Sequence, residues 1–182
     1  VCSRTSPQIF NAALLQATIT HATYTGIESS TAAALMLHYF YYDLGDKDSV
    51  GEFLQDQGMG EDWDRWSGGF VGGDGYETVT AAIDAIRHND TMADILKDCV
   101  SFTGDVDTVA AIAMACASVS REVEQNLPKV LVDYLENSTY GRDYLIELDA
   151  KLMARFPRKT RKPASVPEPE DPGDDLVSIL GG

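Results

Sequence analysis

The sequence predicts an all-α protein, a compact multi-helix bundle, and three observations carry that prediction. Apolar residues recur at three- and four-residue spacing in segment after segment, the period of a helix with one buried face. No stretch alternates apolar and polar residues as a half-buried strand does, and no internal repeat points to a solenoid or propeller. Residues 58–75 hold seven glycines, a density no regular element survives, so one long loop divides the helical segments.

The first helix is expected over residues 7–18, with Ile9, Phe10, Ala13, Leu14 and Ala17 at helical spacing, Ser6 as N-cap and Pro7 at the first helical position. A second runs over about 29–44, where Ala33, Leu37, Phe40, Tyr41 and Leu44 form a stripe and Gly45 stops it. Residues 49–57 give a short helix before the loop, in which Trp63 and Trp66 read as packing anchors. Beyond the loop, residues 76–87 return to helical spacing through Val79, Ala82, Ile83 and Ile86, and Thr91 caps a short helix through Ile95, Leu96 and Cys99. Residues 108–119, TVAAIAMACASV, are apolar on every side and small, which predicts a helix in the middle of the bundle with neighbours all round. Pro128 opens a helix through Val130, Leu131, Tyr134 and Leu135, and a last amphipathic stretch covers 144–156. His38 and His88 lie in helical stretches without a partner pattern and read as structural or surface residues.

The 182 residues suit one domain, and a 44% hydrophobic content is enough to bury a core. We expect residues 1–156 to fold and 157–182 to be a disordered tail, since five of the seven prolines fall there beside a basic run and an acidic one. The tail's apolar end, Leu176 to Leu180, is compatible with a docking motif or an inert terminus. Lys and Arg number 14 against 29 Asp and Glu, a formal charge of −15, which disfavours nucleic acid as a partner; phosphates would need a cation in between. The absence of an apolar run of membrane length or a signal pattern argues for a cytoplasmic protein off the membrane, with Cys2, Cys99 and Cys116 as reduced thiols.

The segment with chemistry is Gly104-Asp105-Val106-Asp107-Thr108, directly before the small-residue helix. Two carboxylates and a hydroxyl on a glycine-pinned turn present hard oxygens of the kind Mg²⁺ or Mn²⁺ takes. The same residues suit a helix N-cap and first turn, and both readings stand on the residues alone.

This run, within residues 95–113, resembles the C-terminal signature of the ADP-ribosylglycohydrolases, in which a glycine pair precedes Asp-Thr-Asp-Thr and a small-residue helix. Thr103-Gly104 stands for the glycine pair and Val106 for the first Thr, while Asp105, Asp107 and Thr108 match. Arg4-Thr5-Ser6-Pro7, Thr20-His21, Gly75-Tyr76 with Thr78, and Pro128 are similar to further family segments and fall in the same order. The resemblance implies an all-α fold that holds two Mg²⁺ or Mn²⁺ ions and hydrolyses the bond between the anomeric carbon of ADP-ribose and its acceptor. It implies Asp105, Asp107 and Thr108 as metal ligands, His21 on the ADP-ribose cleft, and Gly75 and Tyr76 against the nucleotide, the ring by stacking. ADP-ribose or an ADP-ribosylated protein is then the partner. The family's Thr-Asp-Asp cluster and its catalytic acid lie N-terminal to the matched region and do not occur here. The chain is therefore expected to be a C-terminal portion that needs an N-terminal half or a partner chain. The alternative is a catalytically inactive binding or inhibitor module, of the immunity type, on the same fold.

Overall fold

The computed structural model describes residues 6–157. Cys2, Arg4 and Thr5, and the tail expectation beyond Pro157, lie outside the described residues. Among the described residues there are eight α-helices and one 3₁₀ turn, Lys47–Ser49, with no strand beyond two isolated bridges. The helices are α1 (Ser6–Ala17), α2 (Tyr24–Tyr42), α3 (Val50–Asp56), α4 (Gly75–His88), α5 (Met92–Ser101), α6 (Val106–Ala117), α7 (Lys129–Asp133) and α8 (Arg142–Arg155). The all-α expectation holds.

Three helices, α2, α4 and α6, pack on one another; α1 lies against α2, and α5 against both α4 and α6. Leu35 and Met36 of α2, Ile83 and Ile86 of α4, and Val109 and Ala113 of α6 are fully buried where they meet. On α1, Ile9, Ala13 and Ala17 bury one four-residue-spaced row while Leu14 and Leu15 on the other side stay exposed. Trp63, 1% exposed, joins Met59 and Val71 in the core, so three apolar anchors hold the glycine-rich loop down.

The structure corrects several expectations. Helix α2 starts at Tyr24 rather than Ser29, because Thr23 caps it by accepting from the Gly26 N–H at 3.0 Å. Its run of hydroxyls is absorbed by the helix: Ser29 donates to the Thr25 carbonyl at 2.7 Å and Thr31 to that of Ile27 at 2.7 Å. It ends at Tyr42, and the left-handed residue that turns the chain is Asp43 (φ 53°), not Gly45. Gly45 is needed for a different reason, since a Cβ there would run into the Tyr39 hydroxyl. Helix α6 is not enclosed on all sides: Val109, Ala113, Cys116 and Ala117 are buried, but Ala111 and Ala115 face solvent. Its neighbours α2, α4 and α5 leave one face open.

Helix α7 stops at Asp133, short of Leu135. It and α8 are peripheral, with no buried residue on either. Helix α8 meets the core at Tyr41, whose hydroxyl donates to the Phe156 carbonyl and lies 3.7 Å from the Met153 sulfur, and Leu127, just ahead of α7, packs against the core.

Candidate active site

Four helix ends meet at one place. The C-terminus of α1 and the N-termini of α2, α4 and α6 surround an open cleft of about 730 Å³. Each N-terminal end carries a partial positive charge, offset at α4 and α6 by the carboxylates of Asp74 and Asp105.

His21 stands on the turn between α1 and α2. Its N–H donates to the Ala17 carbonyl at 2.7 Å, and its carbonyl accepts from the Thr23 N–H at 2.8 Å. The neighbouring Thr20 hydroxyl lies 2.8 Å from the His21 Nδ1, which fixes one ring nitrogen. On the opposite wall Asp74 caps α4, accepting from the Tyr76 N–H at 2.9 Å, and Glu77 reaches back to the Gly72 N–H at 2.8 Å. Gly75 follows the cap and touches α2; a Cβ there would strike the Ser29 hydroxyl, so the residue has to be glycine for the two helix ends to approach this closely.

The third wall begins at Gly104, whose φ of 94° suits glycine and whose missing side chain leaves room for the Val71 carbonyl. That carbonyl accepts from the Asp105 N–H at 3.0 Å, and the Val71 N–H donates to the Thr103 carbonyl at 2.7 Å. This short parallel bridge fastens the loop to the start of α6. Asp105 occupies the N-cap position, yet its side chain makes no capping bond; its carboxylate accepts from the Thr108 hydroxyl at 2.8 Å. The carboxylate thus binds a first-turn hydroxyl of α6 and none of its backbone N–H groups.

The cleft therefore brings together His21, Gly75, Asp105 and Thr108, from three separate segments of the sequence. Two of the expected site residues stand elsewhere. Asp107 is exposed in the first turn of α6, outside the cleft lining. Tyr76, one residue past Gly75, turns away from the cleft: its ring lies 5.2 Å from that of Trp63 and its hydroxyl donates to the Asp62 carbonyl at 2.7 Å. Burial, with Glu61 and Asp62 beside it, pushes the Tyr76 phenol above its usual value.

The donor chemistry at α6 fits a hard divalent cation in kind, with carboxylate and hydroxyl oxygens, but among the described residues no three acidic, histidine or cysteine side chains gather to hold one. The charged residues lining the cleft are Asp74 and Asp105, with no Lys or Arg.

The model of one protein family, described as ADP-ribosylglycohydrolase, matches residues 1–162. The chain belongs to the ADP-ribosylglycohydrolase family. No curated protein and no solved structure matches it. The family match spans every described helix, α7 and α8 included. No helix among the described residues is long and apolar enough to cross a membrane.

Asp74, Ser29 and Ser30 also line the cleft of this glycohydrolase-family chain, and the sequence reading passed over them. Asp74 was discoverable: an Asp followed three residues later by a Glu, ahead of an apolar-periodic run, marks a helix start. The serines were hidden because they fall inside the helix expected over 29–44, whose apolar stripe marks a core face and says nothing of the α4 end that meets Ser29.

Proposed function

We propose that this chain supplies the ADP-ribose-binding side of a metal-dependent hydrolase site, one that removes ADP-ribose from a modified acceptor by cleaving its N- or O-glycosidic bond. The observation that carries it is the convergence of His21, Gly75, Asp105 and Thr108 on one cleft at three helix N-termini. First-turn N–H groups of α2, α4 and α6 would receive the diphosphate, which explains how a chain of charge −15 binds an anion without a lysine or arginine in the cleft. Gly75 lets the nucleotide reach the backbone, and Thr20, holding the His21 Nδ1, leaves Nε2 to meet a substrate oxygen. Asp105 and Thr108 would hold the cation, with Asp107 as the remaining oxygen donor at that end of α6. Mg²⁺ or Mn²⁺ supplies charge neutralisation at the ribose and phosphate oxygens when bound. Tyr76 acts from behind, fixing the loop edge at Asp62 and Trp63. The proton-transferring carboxylate is assigned to a segment or chain that joins the cleft.

The test is isothermal titration with ADP-ribose in the presence of Mg²⁺ and in chelator, on the chain and on an Asp105→Ala, Asp107→Ala variant. Saturable binding that needs the cation and is lost in the variant is expected. A folded chain that binds ADP-ribose under neither condition would overturn the proposal. The second reading is a non-catalytic binding or inhibitor module on the same fold, in keeping with a cleft whose described oxygen donors at α6 are Asp105 and Thr108. Binding that persists in chelator would support it.

A further inference from the structure

Helix α2 separates two cavities. Thr25, Gly26, Ser29, Ser30 and Ala33 line the cleft, while Tyr24, Ile27, Glu28 and Thr31, on the opposite face, line a second cavity of about 250 Å³ completed by Phe10, Gly58 and Met59. The floor is apolar. Met59 is buried, and the Thr31 hydroxyl is used up on the Ile27 carbonyl at 2.7 Å, so it offers no donor to a ligand. Phe10 and Ile27 provide apolar walls.

The mouth is different. The Tyr24 ring is 76% exposed, which leaves a π-face at the opening. Glu28 stands beside it, and one of its oxygens accepts from the Gly60 N–H at 3.3 Å, tying the loop to α2. Glu28 and Glu61 both lie close enough to push the Tyr24 phenol above its usual value. No lysine or arginine lines the cavity.

An apolar shaft with a carboxylate and an aromatic face at its mouth is complementary to one kind of group: a long side chain with an apolar stem and a cationic head. A neutral apolar occupant would take Glu28 out of water without supplying a cation, and an anionic one would be repelled. We propose that this second cavity is a docking pocket for a lysine or arginine side chain of a partner polypeptide, the stem against Phe10, Ile27 and Met59 and the head between the Tyr24 ring and Glu28. It stands on the far side of α2 from the cleft and does not depend on the cleft's reaction.

The test is a backbone chemical-shift titration with three probes, N-acetyl-arginine, N-acetyl-lysine and N-acetyl-norleucine methylamides. Saturable shifts are expected at Ile27, Glu28, Gly58, Met59 and Gly60 for a cationic probe, with norleucine at least about tenfold weaker. Glu28→Gln, which can still accept from the Gly60 N–H, should keep the same thermal midpoint and weaken cationic binding by about tenfold. The absence of saturable shifts, equal affinity for norleucine, or an unchanged affinity in the folded Glu28→Gln variant would each overturn the proposal. ADP-ribose binding by the cleft is read separately in the same sample, so the two readings fail independently.

Discussion

Replacing Gly104 by alanine isolates what the loop-to-α6 bridge contributes, because the molecule carries its own control. Gly104 and Gly69 have nearly the same backbone angle, φ 94° and 92°, but a Cβ at Gly69 meets open space while one at Gly104 runs into the Val71 carbonyl. Gly69→Ala therefore costs left-handed strain alone, about 1 kcal/mol. Gly104→Ala adds the loss of two bridge bonds, from the Asp105 N–H to Val71 at 3.0 Å and from the Val71 N–H to Thr103 at 2.7 Å. At about 1 kcal/mol net for each bond, the total reaches about 3 kcal/mol. The difference of about 2 kcal/mol should appear as a midpoint about 4 to 8 °C lower for Gly104→Ala than for Gly69→Ala. Calorimetry or urea titration of the two variants measures it. Equal destabilisation would refute the reasoning, because it would leave the bridge contributing nothing beyond backbone strain.

At the cleft's other wall, Gly75→Ala should cost about 1 to 3 kcal/mol by forcing α4 away from the Ser29 hydroxyl. Part of that loss should return in the Gly75→Ala, Ser29→Ala double variant, and a double-mutant cycle with no coupling would count against the contact. Burial pushes the Cys99 thiol up to about 11 and Cys116 to about 12, whereas an unfolded thiol ionises near its ordinary 9.0. Their stabilisation is whole below pH 9.0 and is lost as the pH rises through about 11, so the urea midpoint should fall across that window. A Cys99→Ala, Cys116→Ala chain that loses as much over the same window would contradict this. Amides of α8 should exchange with solvent well before those of α2, α4 and α6, because no α8 residue is buried. Protection of α8 equal to that of α4 in hydrogen exchange would contradict this.

Much of the architecture was legible because single residues with unambiguous chemistry mark it. Thr91 caps α5 through the Asp94 N–H, as its position before an apolar run announced, and Gly104 turns the chain just ahead of Asp105. Legibility failed where a tertiary partner decides. The beginning of α2 is polar, and only the Thr23 cap and the internal hydroxyl bonds make it helical. Asp43 adopts the left-handed turn that Gly45 was expected to supply, with its carboxylate held by Arg121 at 3.2 Å, a partner 78 residues away. For α6, composition gave small apolar residues all round, and composition carries no information about which side the neighbours take. At the site, the sequence marked which segments would meet at the cleft but not the direction of each side chain. Gly75 and Tyr76 are adjacent, yet the step of about 100° between neighbours on a helix sends one to α2 and the other to Trp63.

The one-sided packing of α6 makes that helix a lever. Its twelve residues span about 18 Å, with Asp105 and Thr108 at one end and Ala117 at the other. A tilt of about 5° pivoting on Ala117 would swing Asp105 through about 1.6 Å, more than the placement tolerance of about 1 Å on which catalytic rates depend. Under the proposed function the aim of the oxygen donors is therefore set from both ends of α6, by the bridge to Val71 at one and, at the other, by how closely the methyl groups of Ala113 and Ala117 let the neighbouring helices approach. Two methyl groups added at that end, as in Ala117→Val, should weaken the cation-dependent binding of ADP-ribose in the same titration without touching any residue of the cleft.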